Sequence, residues 1–171
     1  MTDLRLDAHN ALIAARRGLE GAPLRVADGL ARAIRRAPDT RLEQLMRTPP
    51  VRRVVLEGIF RQMPQHLVAQ QAAGVNAIVR WRITGRADGG ADTYELQIAD
   101  GLCRVSRGSA GPDPRVTMTL GGTDLLQLAI GDLDPMQAYL SGRIGLAGDI
   151  MLAARLGSLF HIPRPERPPS R

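Results

Sequence analysis

The chain has 171 residues, enough for one domain with an appendage, and its hydrophobic content of 44% is that of a globular protein although only 3% of its side chains are aromatic. All 23 basic residues are arginine, which excludes lysine Schiff-base chemistry and a lysine-bearing phosphate loop. The net charge of +6 is uneven, with 12 Arg against 7 acids in residues 1–61 and 11 against 10 in residues 62–171.

In chain order, residues 4–20 place Leu4, Ala8, Leu12 and Ala15 on one helical stripe that ends at Gly21 and Pro23. A second helix is predicted over 24–36, with Ile34 inward and arginines outward, stopped by Pro38. A third carries Leu42, Leu45 and Met46, with Thr40 as its cap and Pro49-Pro50 as its end. Residues 51–73 repeat the helical pattern, and Pro64 should kink or split that helix.

Strands are predicted at 77–84, where Val79, Trp81 and Ile83 alternate with polar residues, and at 93–99, where Tyr94, Leu96 and Ile98 do. Asp100-Gly101 is a hairpin turn of the positive-φ kind, followed by a third strand at 102–107. A fourth, at 116–120, is expected to join this meander antiparallel. The outer faces carry Arg80, Arg82, Glu95, Gln97, Arg104, Thr117 and Thr119, which reads as a solvated surface with Arg82 opposite Glu95.

After Gly121-Gly122, Thr123 or Asp124 should cap a short apolar helix that ends at Gly131. Asp134-Pro135 starts another, closed by Ser141-Gly142. A strand over 143–147 and an apolar helix capped by Gly148-Asp149 complete the pattern. An antiparallel sheet with one wet face needs helices on the other, so the class is α+β.

The stretch GDLDPMQAYLSGRIGLAGD, with Gly131, Asp134, Pro135, Ser141, Gly142, Gly148 and Asp149 in register, resembles the C-terminal half of the sterol carrier protein 2 domain. The resemblance covers roughly residues 54–160 and is that of a stand-alone bacterial member with an N-terminal helical extension. It implies an SCP2-like fold, a mainly antiparallel five-stranded sheet whose helices cover one face and enclose an apolar tunnel. Domain limits follow as an arm over 1–50, a lipid-binding domain over 51–162 and a disordered proline-rich tail over 163–171.

The implied activity is non-catalytic binding and transfer or presentation of an apolar lipid: a fatty acid, acyl-CoA, sterol or isoprenoid. Tunnel-lining candidates are Ile59, Phe60, Met63, Leu67, Trp81, Ile83, Leu96, Leu120, Leu125, Leu128, Met136, Tyr139, Leu140, Ile144, Leu146, Met151, Leu156 and Phe160. The same residues suit an ordinary filled core, and periodicity does not separate the two. Two other readings stay open: an accessory factor holding a prenylated quinone-pathway intermediate for partner enzymes, and an interaction module with a filled core and a basic arm for a membrane or protein.

No catalytic set is legible. His9, His66 and His161 lack metal-ligand spacing, Cys103 stands alone without a disulfide partner, and Ser141 and Ser158 sit in no nucleophile motif. Gly142, Gly145 and Gly148 are spaced like a phosphate loop but lack its context, and fit turn, close-approach and cap positions. No cofactor, metal or nucleic acid is called for. The expected partners beyond the lipid are an anionic membrane surface or a lipid-metabolising enzyme. The N-terminus lacks a secretory pattern, no apolar run nears the roughly 18 residues of a membrane span, and the C-terminal Pro-Ser-Arg is not a peroxisomal address, so the expected location is cytoplasmic.

Overall fold

Proline and extended residues divide the N-terminal half of the chain. The computed structural model describes residues 25–109 and 111–160, with the backbone alone for 25–30. The expected helix over 4–20 and the tail from 163 lie outside the described residues. Helix α1 (Arg25–Arg36) ends before Pro38, and α2 (Asp39–Arg47) starts from Pro38 rather than from Thr40. Thr48 is extended and breaks the run, so Pro49 and Pro50 do not merely end α2. They occupy the first turn of α3 (Pro49–Gln62), where a missing N–H costs no hydrogen bond. Pro64 then splits the expected 51–73 helix into α3, a 3-10 turn (Met63–His66) and the single turn α4 (Ala69–Ala72).

The strands are β1 (Ala77–Thr84), β2 (Asp92–Ala99), β3 (Leu102–Arg107), β4 (Val116–Gly121) and β5 (Ile144–Gly148). Asp100 and Gly101 both take positive φ (53° and 71°), the two-residue turn that matches strand twist. Helices α5 (Gly122–Ala129), α6 (Pro135–Leu140) and α7 (Ile150–Leu159) follow. Asp134 and Asp149 accept from the N–H groups of Gln137 and Leu152, each at 2.9 Å. The Leu152 N–H and then Arg115 hold the Asp149 carboxyl below its ordinary range. Asp124 is not a cap: α5 begins at Gly122 with Gly121 before it, and Asp124 lies inside the first turn, receiving Arg143.

The sheet order is β3-β2-β1-β4-β5, and β4 runs parallel to β1 rather than antiparallel. The meander grows outward from one side of β1, leaving its other edge open. After β3 the chain crosses back over the sheet, with the Gly111 N–H on Glu95 Oε2 at 3.3 Å and the Arg115 N–H on Ile78 O at 2.9 Å. That return delivers β4 to the open edge in the direction of β1. It also overturns two expectations for the outer face. Glu95 is buried beneath the crossing, and its partner is Arg80, directly opposite in register and bonded at 2.7 and 2.9 Å, whereas Arg82 faces Thr93.

Gly148 is fixed by crowding rather than by a turn alone. Its φ is +97°, and a Cβ there would sit 2.3 Å from Arg115 O. Gly145, the expected close-approach residue, would bring a Cβ only into ordinary contact with Thr119.

The core lies between the sheet's inner face and the helices. Val79, Trp81 and Ile83 of β1 join Leu56 and Phe60 of α3, Leu125 and Leu128 of α5, and Leu152, Leu156 and Leu159 of α7. Leu42 and Met46 of α2 are buried in the same cluster. Val68 N–H donates to Leu159 O at 2.8 Å, so the end of α7 is stitched to the segment after α3.

Arg52 is the buried cation of this assembly, at 3% exposure. It donates to Asp92 Oδ2 at 2.7 Å and to the carbonyls of Met46, Ile83 and Thr84 at 3.1, 2.7 and 3.0 Å. Replacing Arg52→Met leaves three carbonyls without this donor and the half-buried Asp92 with its weaker contact to Arg107 at 3.3 Å, so urea denaturation should show a loss of about 2–3 kcal/mol. A variant within about 0.5 kcal/mol of wild type would show that the cluster is dispensable.

Candidate apolar binding site

The inner face of the sheet is a hydrocarbon floor with two polar points. Along β1 and β2 the register sets Trp81 opposite Tyr94, and on the other side Trp81 faces Met118 of β4. Phe60 reaches down from α3 to both rings: it stacks on Tyr94 at 4.1 Å between centroids and meets Trp81 edge-on at 5.9 Å. Leu96, Ile83, Leu120 and Ile144 extend the floor on either side. Burial raises the Tyr94 phenol above its ordinary range. Among the described residues, the Trp81 Nε1 and the Tyr94 hydroxyl are buried without a hydrogen-bond partner. Leaving such a group unmet costs about 1–3 kcal/mol.

Of the expected lining residues, Phe60, Trp81, Ile83, Leu96, Leu120, Leu125, Leu128, Ile144, Leu156 and Phe160 are buried together in this interior. Ile59, Met63, Leu67 and Leu146 are half-buried and packed against it. Met136, Tyr139, Leu140 and Met151 are not brought in. Leu140 and Met151 are 75% and 76% exposed. Helix α6 has only six residues and turns Ala138 inward. Helix α7 buries Leu152, Leu156 and Leu159, and Met151, one position off that stripe, points out. Tyr94, expected to face inward but not counted among the lining candidates, is buried in the same interior. Its place in the β2 alternation was a sufficient signal for the face, and only the register puts it beside Trp81.

Two pockets lie outside this interior. One of about 330 Å³ opens where α2, the end of β1 and the start of α5 meet, and is lined by Glu43, Arg47, Arg86, Asp124 and Arg143 among others. Its lining is charged, with Arg143 paired to Asp124 and Arg86 to Asp88, so it does not suit a hydrocarbon chain. The other, about 160 Å³, lies between Val75, Arg115 and the start of α7, where Met151 borders it.

Among the described residues no group of three His, Cys, Asp or Glu gathers as metal ligands, and no helix is long and apolar enough to cross a membrane. His66 lies in the 3-10 turn, while His9 and His161 fall outside the described residues.

The SCP-2 sterol transfer family model matches residues 56–161, from within α3 past the end of α7 and over more than half of the chain. The chain belongs to that family. Among its relatives, the mouse peroxisomal multifunctional enzyme type 2 is 34% identical over 83 residues, covering 47% of this chain and 11% of the enzyme. Human hydroxysteroid dehydrogenase-like protein 2 is 27% identical over 124 residues, 72% of this chain and 29% of the relative. This chain therefore spans less than a third of either protein's length. Among solved structures, the palmitated SCP2L2 of Aedes aegypti superposes with a TM-score of 0.51 at 27% identity, over 62% of this chain and 94% of that one. The family fold is a lipid-binding one, and the interior between sheet and helices is where this chain concentrates its apolar surface.

Cys103 tests whether the β3 side of that interior is closed. It lies on the inner side of the edge strand, half-buried, and burial pushes its thiol up from 9.0 to about 11. At pH 8 the native protein should carry about 100-fold less thiolate than the unfolded chain, so iodoacetamide should modify it correspondingly slowly. Because the raised value favours the neutral thiol in the fold, that contribution to stability is complete below pH 9 and is lost as pH rises toward 11. Equal alkylation rates for native and urea-unfolded protein would show β3 to be open.

Proposed function

We propose that this chain binds one apolar lipid between its sheet and helices and transfers or presents it, without chemistry on the ligand by its own residues. The observation that carries this is the single hydrocarbon interior framed by β1, β2, β4 and the helices α3, α5 and α7, in a chain of the SCP-2 family. Cys103, with its thiol held neutral, is no nucleophile at physiological pH.

Binding is desolvation. Each buried methylene contributes about 0.8 kcal/mol, against the cost of ordering the chain and of parting side chains that otherwise touch. The lining supports such parting, since Met118 and the half-buried Met63 adapt to different shapes. Met63 follows directly on α3 within a 3-10 turn, a break that lets the segment shift relative to the sheet. The apolar lipid forms the tunnel by occupying it, and the bridge between Leu67, just after the 3-10 turn, and Phe160, just after α7, closes it.

A palmitoyl chain is the first ligand to test, because the Aedes aegypti relative was solved palmitated. Protein stripped by organic extraction, titrated with palmitic acid and followed by calorimetry, should take up one equivalent with a negative heat-capacity change. No uptake of palmitic acid, cholesterol or a prenyl alcohol would favour a second reading, an interaction module with a filled core. The exposed Met136, Leu140 and Met151 would then serve contact with a protein or membrane.

A further inference from the structure

Two buried polar atoms stand out in the interior, on residues that face each other across β1 and β2. Trp81 Nε1 and the Tyr94 hydroxyl have no partner, at 7% and 3% residue exposure. The other buried polar side chains of the described residues do not share this state: Arg52 has four acceptors, and Glu95 takes both Arg80 and the Gly111 N–H. Trp81 and Tyr94 are direct partners across β1 and β2, and Phe60 contacts both rings, which fixes where each is held.

The two groups ask for the same thing. An indole N–H only donates, and a phenol that keeps its proton donates too. Burial keeps the Tyr94 proton in place at neutral pH. No acceptor lies within hydrogen-bond reach of either donor; Leu96, Ile83, Met118 and Leu120 share their cluster, and the charges of Arg107, Asp92, Glu57 and Arg53 act on the Tyr94 hydroxyl. A pure hydrocarbon would leave both donors as they are.

We infer that the ligand is an oxygen-headed lipid whose carboxyl, ester or hydroxyl oxygen accepts from Trp81 Nε1 and the Tyr94 hydroxyl at the Phe60–Trp81–Tyr94 cluster, with its chain running over the inner face toward β4 and β5. This rests on the lipid-binding reading above and narrows it to a polarity and an orientation. The aromatic cluster is the head end and the aliphatic floor of β4 and β5 is the tail end.

The test uses the full-length protein with palmitic acid, methyl palmitate and hexadecane, in wild type, Trp81→Phe and Tyr94→Phe. At position 94 phenylalanine removes only the hydroxyl; at position 81 it keeps an aromatic ring but also gives up the second ring of the indole, so hexadecane is the control for the lost packing and Tyr94→Phe should melt within a few degrees of wild type. Each variant should bind the oxygenated ligands roughly tenfold more weakly and hexadecane within about twofold of wild type. Loss for the acid alone identifies a carboxylate head, and loss for both acid and ester identifies a carbonyl oxygen; either supports the inference. Trp81 is the sole tryptophan, so its indole N–H gives a single proton resonance, which should move downfield with palmitic acid and not with hexadecane. Unchanged binding of all three ligands, or an equal loss for all three, would overturn the inference while leaving lipid binding intact. Wild type that binds none of them would overturn the lipid-binding reading itself.

Discussion

A buried guanidinium has to meet its donors or unfold its surroundings, and Arg52 meets them with four acceptors drawn from three separate elements. It joins the end of α2 through Met46 O, the end of β1 through Ile83 O and Thr84 O, and the start of β2 through Asp92. Asp92 is itself shared with Arg107 of β3. The planar fork of arginine suits this geometry in a way that a point-charged amine would not. Because Arg52 sits in the first turns of α3, the cluster sets where that helix lies on the sheet. About two turns further on, Phe60 lands on Trp81 and Tyr94. The floor of the apolar interior thus depends on an ion pair at its rim.

The second constraint is the return of the chain after β3. By crossing the outer face it places β4 beside β1, with Met118 next to Trp81. The inner face then runs unbroken from the aromatic pair to the aliphatic side chains of β4 and β5. The same crossing covers Glu95 and its ion pair with Arg80, while Arg82, Gln97 and Arg104 of that face stay exposed. Helices α5 and α7 complete the enclosure. The latter is anchored at one end by Asp149 and at the other by the Val68–Leu159 hydrogen bond.

Much of this was legible in the residues. Alternation along β1, β2 and β4 placed the inward side chains correctly, because one buried face enforces a period of two. The caps at Asp134 and Asp149 and the turn at Asp100-Gly101 followed from local chemistry that tertiary packing had no reason to override. The direction of β4 did not follow, since strand order is decided by an edge left open elsewhere in the sheet. Alternation carries no sign of parallel or antiparallel pairing. Met136, Leu140 and Met151 looked inward because short apolar helices present hydrophobic residues on every side, and only packing chooses the face. Nothing in the spacing of Arg52 within the helical pattern of 51–73 marks it as buried. Leu42 and Met46, legible as apolar positions of the third helix, belong to the core although they precede the stretch that carries the family pattern.

The central claim is that lipid sits between the sheet and the helices, not on the apolar surface of α6 and the start of α7. Isotope-filtered NMR on the protein with uniformly carbon-13-labelled palmitic acid addresses it most directly, through Overhauser contacts between ligand and side-chain protons. The account predicts contacts from the acyl chain to Phe60, Trp81, Leu96 and Leu120. Contacts confined to Met136, Leu140 and Met151 would contradict it.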